Sequence, residues 1–275
     1  MDNDDFSCVV DRINSPTLEE FNMLYVQSSR PVIITGGLEN WTASSKWNPY
    51  YFKSVCGSRT VPVKRMNNGS YLNAPIEMLK FDDYLDRVSS QKPNSEERFY
   101  LSEQPIKKIL PEIASDFEVP VYVDAKEYLS MCYIGSHVNS QIHFHPYGKA
   151  LLCVVSGCKR VKLFSPDQTD FLYCKYNFSK IDCDPVDLDK YPLYKKAKYY
   201  ECEIRAGEMM FFPIYWWHGV QTDEFSSAVV FFWDDSRKVR WNSPSGIPRH
   251  YPFLFEVNSF VVKARNRIRQ FFGEE

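Results

Sequence analysis

Five histidines occur in the chain: His137, His143, His145, His218 and His250. Three of them have the types and spacing of metal ligands. His143 and His145 lie two apart in QIHFHPYG. On an extended strand, residues i and i+2 share a face, so both imidazoles project to one side while Phe144 points to the other. His218 follows some 75 positions after His143, closing the string GEMMFFPIYWWHGV. That string predicts a strand, a proline-containing bend and a second strand opening at His218. An HxH pair with one distant histidine makes a facial triad, which leaves open positions for substrate or O2. Neutral imidazole suits Fe, Zn, Cu or Ni, so the spacing alone leaves the metal open.

Such a triad must be held by rigid elements, and the texture of the chain from Arg98 onward supplies them. FYLSE, VYVD, YLSMCYIGS, ALLCVVSG, KRVKLFS, YECEIRAG, EMMFFPI and SSAVVFFWDD are short runs rich in β-branched and aromatic residues, separated by turn residues. Many short strands without long helices between them predict a sandwich or barrel. Before Arg98 the pattern is mixed. Helices are expected over residues 16–30, 46–57 and 78–90, and strands at RPVIITGG and TVPVKRM. The long stretch at about 166–198, rich in Asp, Pro, Tyr and Lys, reads as a functional loop. Residues 256–272 read as a terminal helix with one apolar face. Three segments result: an N-terminal extension over 1–97, a core over 98–236 and a helical tail over 237–275.

Composition narrows the function classes. The chain has 275 residues, 44% of them hydrophobic, enough for one large core. Its formal net charge of -2 gives no global field for nucleic acid. No run approaches the roughly 18–20 apolar residues of a membrane helix. Residues 1–12 lack an apolar signal region, so the expected compartment is the cytosol or nucleus. The eight cysteines include no CxxC pair and are expected to be reduced thiols. A zinc site at Cys174, Cys183 and Cys202 lacks paired ligand spacing.

Three stretches carry a resemblance: HFHPYGKALLCVVSGCKRVKLFSPDQTDFLY, DLDKYPLYKKAKYYECEIRAGE and FFPIYWWHGV. They resemble the JmjC oxygenases of the cupin superfamily, in particular the small hydroxylase branch of asparaginyl hydroxylase-like and tRNA wybutosine hydroxylase-like proteins. The resemblance runs from RPVIITGG to VVFFW. It implies a mainly β fold with flanking helices, built on a double-stranded β-helix of the cupin or jelly-roll type. It implies Fe(II) on an H-x-D/E…H triad, here His143, His145 and His218, with 2-oxoglutarate and O2 as co-substrates. It implies that Lys159, in the family's G-x-K-R position, grips the distal carboxylate of 2-oxoglutarate. Ser140, three before the first ligand, and Tyr100, in FYLSE, assist. An ammonium and two hydroxyls are suitable partners for a buried carboxylate.

The sequence departs from the family pattern at the middle ligand, where His145 replaces the acid. Ala150 and Val230 also stand where the family often has Asn. Three neutral imidazoles leave a divalent site at +2, where a carboxylate ligand would leave it at +1. Three readings follow. One is a 2-oxoglutarate-dependent hydroxylase with a variant triad. Another is a three-histidine metal oxygenase that does not use 2-oxoglutarate. The last is an inactive metal-binding cupin that serves as a binding module. The resemblance admits a polypeptide substrate or a tRNA base, and the net charge favours the polypeptide. Local cations at Lys195, Lys196, Lys198, Arg237, Lys238, Arg240 and Arg249 are compatible with acidic or phosphate partners. A homodimer through the C-terminal helix is a further expectation.

Overall fold

The computed structural model describes residues 7–67, 71, 74–146, 148–181, 185–234 and 247. The expected helix at 256–272, its dimer contact and the cations from Arg237 to Arg249 lie outside the described residues. So does Cys183 of the weighed zinc site.

The first segment alternates short helices and strands. Strands β1 (Ser7–Cys8) and β2 (Asp11–Asn14) precede helix α1 (Leu18–Phe21). Thr17 caps α1 in a reciprocal box with Glu20, and one π-turn (Asn22–Val26) continues it. Then follow β3 (Val32–Thr35), α2 (Ala43–Lys46) and α3 (Pro49–Cys56), the last started by the Asn48 side chain and Pro49. Strands β4 (Thr60–Asn67) and β5 (Ile76–Lys80) form a hairpin ahead of α4 (Phe81–Ser90). The expected helix at 78–90 therefore starts three residues late. Met78 to Lys80 are strand residues held against Pro62 to Thr60.

The second segment is the strand-rich one: β6 (Glu97–Pro105), helix α5 (Ile106–Ile109), β7 (Tyr128–Gly135), β8 (Val138–Asn139), β9 (Gly148–Ser156) and β10 (Cys158–Phe164). A small ribbon, β11 (Cys174–Lys175) and β12 (Phe178–Ser179), sits within the long loop. Strands β13 (Tyr199–Arg205), β14 (Met209–Phe212), β15 (Trp217–Thr222) and β16 (Ser226–Asp234) complete it. VYVD, expected as a strand, is a turn without ladder partners.

Two sheets result, ordered β1-β13-β10-β15-β8 and β2-β3-β14-β9-β16-β7-β6-β4-β5. This is the double-stranded β-helix, with β3, β4 and β5 of the first segment extending its larger sheet. Alternation in β9 shows how the layers are built. Ala150, Leu152 and Val154 face Val161, Leu163 and Ile204 of the smaller sheet inside the barrel. Leu151, Cys153 and Val155 face the helical layer, against Phe21, Trp41 and Phe52. The strand is buried on both sides, which is why it reads as a continuous apolar run rather than an alternating one.

Candidate metal centre

His218 is the second residue of β15 and lies opposite Leu163 on β10. His143 is not in a regular strand. It makes a single bridge to His218 on one side and to Phe178 on the other. The run from Gln141 to Pro146 thus crosses the barrel mouth as an irregular segment, where the sequence predicted a strand. Gly148 starts a strand only after it. Backbone bonds to β15 and β12 hold the start of this run, where Ser140 N–H donates to Val220 O at 2.8 Å and Ser179 N–H donates to Ile142 O at 2.8 Å, and near its end His145 O accepts from Tyr215 N–H at 3.3 Å.

The three histidines each offer one ligand atom, and these atoms lie within 4.8 Å of one another. Among the described residues, this is the grouping that can hold a metal ion. Two rings have a fixed tautomer. His143 Nδ1 sits 2.8 Å from Gln141 O, and His218 Nδ1 sits 2.9 Å from Trp216 O. A carbonyl only accepts, so Nδ1 carries the proton in both rings and Nε2 keeps its lone pair for the metal. His145 differs, since its Nδ1 is buried without a hydrogen-bond partner. Phe232 and His218 pack against the His145 ring instead, with centroids at 5.0 and 4.6 Å. Phe178 stacks on His143 at 5.8 Å and Phe212 stacks on His218 at 4.4 Å.

Burial lowers the pKa of all three imidazoles, and the neighbouring rings lower those of His145 and His218 further. They are neutral near pH 7, the protonation state that binds metal.

Two cavities meet at these ligands. An inner one of about 50 Å³ is lined by Tyr100, Ser140, Lys159, Val230 and the three histidines. An outer one of about 550 Å³ opens from His143 and His145 to the surface. All six residues singled out by sequence thus border the inner cavity. Lys159 is 1% exposed, and its ammonium has no hydrogen-bond partner. Burial lowers its pKa to about 8. Ser140 Oγ accepts from Val220 N–H at 3.0 Å, and Tyr100 is buried beside Tyr71 and Tyr133. Glu103, Tyr71, Tyr133, Phe178 and Phe232 also line the site and were not read from sequence. Tyr71 and Glu103 come from the first segment's hairpin and a strand bulge, which carry no local motif.

A family model described as a cupin-like domain matches residues 18–238. The chain belongs to the cupin-like JmjC family. This JmjC chain is 31% identical over 245 residues to human tRNA wybutosine-synthesizing protein 5, covering 82% of the chain and 77% of that relative. It is 28% identical to the Drosophila melanogaster Jumonji C domain-containing protein 5 over 247 residues, covering 83% of the chain and 60% of that protein. It is 30% identical to the Arabidopsis thaliana Lysine-specific demethylase JMJ30 over 236 residues, covering 82% and 55%. The chain therefore spans little more than half the length of the latter two. The family is one of metal-dependent oxygenases, and this member has a histidine triad that can hold a metal ion, in which every donor is nitrogen. No helix among the described residues is long and apolar enough to cross a membrane.

Proposed function

We propose that this chain is an Fe(II)- and 2-oxoglutarate-dependent hydroxylase acting on a C–H bond of a polypeptide side chain. The observation that carries this reading is Lys159. An ammonium buried without a partner costs several kcal/mol, and it persists in a fold only where something else pairs with it. Its cavity is also bordered by the three histidines and joins the outer one at His143 and His145, so a diacid reaching across them would set one carboxylate on Lys159 and the other end toward the metal. Tyr100 and Ser140 border the same space and supply hydroxyl donors to the carboxylate.

Iron bound by His143, His145 and His218 would supply O2 activation, with 2-oxoglutarate as the electron source. The chain's own part is to position and protect. The Gln141 and Trp216 carbonyls hold two imidazoles in the metal-binding tautomer. Phe178, Phe212 and Phe232 pack around the ligands and exclude water. The outer cavity admits a side chain to the metal from one direction. Names of the relatives point both to polypeptide chemistry, through the lysine demethylase, and to a tRNA base, through the wybutosine protein.

The test is succinate formation from 2-oxoglutarate by Fe(II)-loaded protein, alongside 2-oxoglutarate binding to the metal-loaded form. Absence of both binding and turnover would sink the proposal. One observation favours a second reading: the ligand set is wholly neutral. A metal oxygenase without 2-oxoglutarate is the outcome if metal binds stoichiometrically and the diacid does not.

A further inference from the structure

We propose that Glu103 determines substrate specificity here, by taking a cationic group of the ammonium or guanidinium type carried on the substrate side chain. The proposal rests on the reading above only for what is done to that group, not for how it is recognised.

Strand β6 is broken by a register shift against β7. Leu101 lies opposite Ile134 on β7, but the next pair is Gln104 with Cys132. Ser102 and Glu103 therefore both stand opposite Tyr133, a bulge of one extra residue. Leu101, Ile134 and Cys132 belong to the core beneath the helices. Simple alternation would send Glu103 into that apolar core with Leu101. The bulge instead turns two consecutive side chains toward the barrel. Ser102 spends its hydroxyl on Tyr71, at 3.1 Å. Glu103 borders both the inner and the outer cavity. Its backbone takes φ +58°, the left-handed region that is uncommon for a residue such as Glu. The bulge and this turn together place one carboxylate at the approach to the three histidines.

The carboxylate has acceptor capacity to spare. Lys64 Nζ donates to its Oε2 at 2.7 Å and lies 3.7 Å over the Tyr71 ring. The Tyr71 hydroxyl also reaches the carboxylate; these two partners still leave part of its lone-pair capacity open, and the Glu103 side chain is 48% exposed. Around it, the outer cavity's described lining contains a second carboxylate, Glu127, and no lysine or arginine. Its walls are the rings of Tyr133, Phe178, Phe232 and Trp233. Carboxylates among aromatic faces suit a cation on an apolar stem. Lys149 and Lys107 lie over the Trp233 and Tyr128 rings at 5.7 and 5.8 Å, so cations stand on the rim, but the two acidic side chains that line the cavity itself, Glu103 and Glu127, favour a cation over a phosphate backbone inside it.

The experiment reads binding rather than turnover. The full chain, loaded with redox-inert Zn(II), is titrated with peptide libraries centred on lysine or arginine, or on their uncharged counterparts norleucine and citrulline. Wild type should prefer the charged centre at least tenfold. Glu103→Gln should remove the preference while melting as a folded protein. Lys64→Gln, which frees the carboxylate, should enlarge it. Equal affinity for charged and uncharged centres, a preference intact in E103Q, no binding to any library, or tighter binding of a tRNA-derived oligonucleotide would each overturn the assignment. Succinate formation is scored separately. Succinate without the preference sinks the Glu103 role alone. The preference without succinate leaves recognition standing and removes the hydroxylase reading.

Discussion

His143 and His218 are joined through their backbones. His143 N–H donates to His218 O at 3.0 Å, and His218 N–H donates to His143 O at 2.7 Å. The two rings stand 4.4 Å apart, centroid to centroid. Their separation is thus fixed by a bonded residue pair rather than by side-chain packing. His145 enjoys no such tie beyond its carbonyl, which accepts from Tyr215 N–H at 3.3 Å. The triad has two fixed members and one held by its surroundings.

Metal affinity should reflect that inequality. His143→Ala and His218→Ala are expected to abolish stoichiometric metal binding. His145→Ala should leave a weaker but measurable site, because its ring lacks the carbonyl bond that orients the other two. His145→Asp should retain metal and lower the site's charge by one. Metal content after dialysis against a chelator series ranks the four proteins. Equal loss in all single alanine variants would contradict the ranking.

The pH dependence follows from the lowered imidazole pKa values. Each group in the unfolded chain takes up a proton near pH 6.5, whereas the folded chain resists it. Between those limits the unfolded state binds more protons, so stability is lost as pH falls below about 6.5. Metal competes with the same protons, and retention should fall through the same window. Thermal melts and metal release measured from pH 7.5 to 5 check both effects.

Lys159 makes the opposite kind of statement. Its folded pKa is about 8 against an ordinary 10.5, a difference equivalent to about 3 kcal/mol. That cost is fully present below pH 8, fades between 8 and 10.5, and vanishes above. Lys159→Met should therefore stabilise the ligand-free protein by about 2–3 kcal/mol near pH 7, and by progressively less toward pH 10. The same variant should lose the stabilisation that wild type gains from added 2-oxoglutarate. Denaturant melts at three pH values, with and without the diacid, test both parts.

Trp217 supplies a structural check. It is fully buried beside the ligand His218, and its indole Nε1–H donates to Thr169 Oγ1 at 2.9 Å. Thr169→Val keeps the volume and strands the donor. The expected loss is about 1–3 kcal/mol in unfolding free energy, the cost of an unsatisfied buried group. A variant within 0.5 kcal/mol of wild type would show that another acceptor is reached.

Much of this was visible in the chain itself, for identifiable reasons. The strands from Arg98 onward announce themselves because both faces of the larger sheet are buried and the runs are dense in Val, Phe and Leu. The triad is visible because histidines are few. Lys159 shares the parity of Val161 and Leu163 along β10, so the alternation already points it inward. What stayed hidden depends on register. The bulge that exposes Glu103 to the site arises from a mismatch between β6 and β7, a relation between two distant segments. The irregular path of 141–146 is likewise set by its partners Val220, His218 and Ser179. The start of α4 is ambiguous in the sequence because Met78 and Leu79 suit a helix as well as a strand, and pairing with β4 decides between them.

Strand β16 repeats what β9 does: Ala228 and Val230 turn into the barrel, while Val229, Phe231 and Trp233 turn toward the helices. At these two strands the larger sheet is therefore a party wall, with no wet side. The opening segment is the room next door rather than an annex. A fragment begun at Glu97 would bare a continuous oily face well beyond the roughly few hundred Å² that soluble monomers tolerate. Anyone seeking a minimal version of this chamber must keep both rooms or resurface the wall between them.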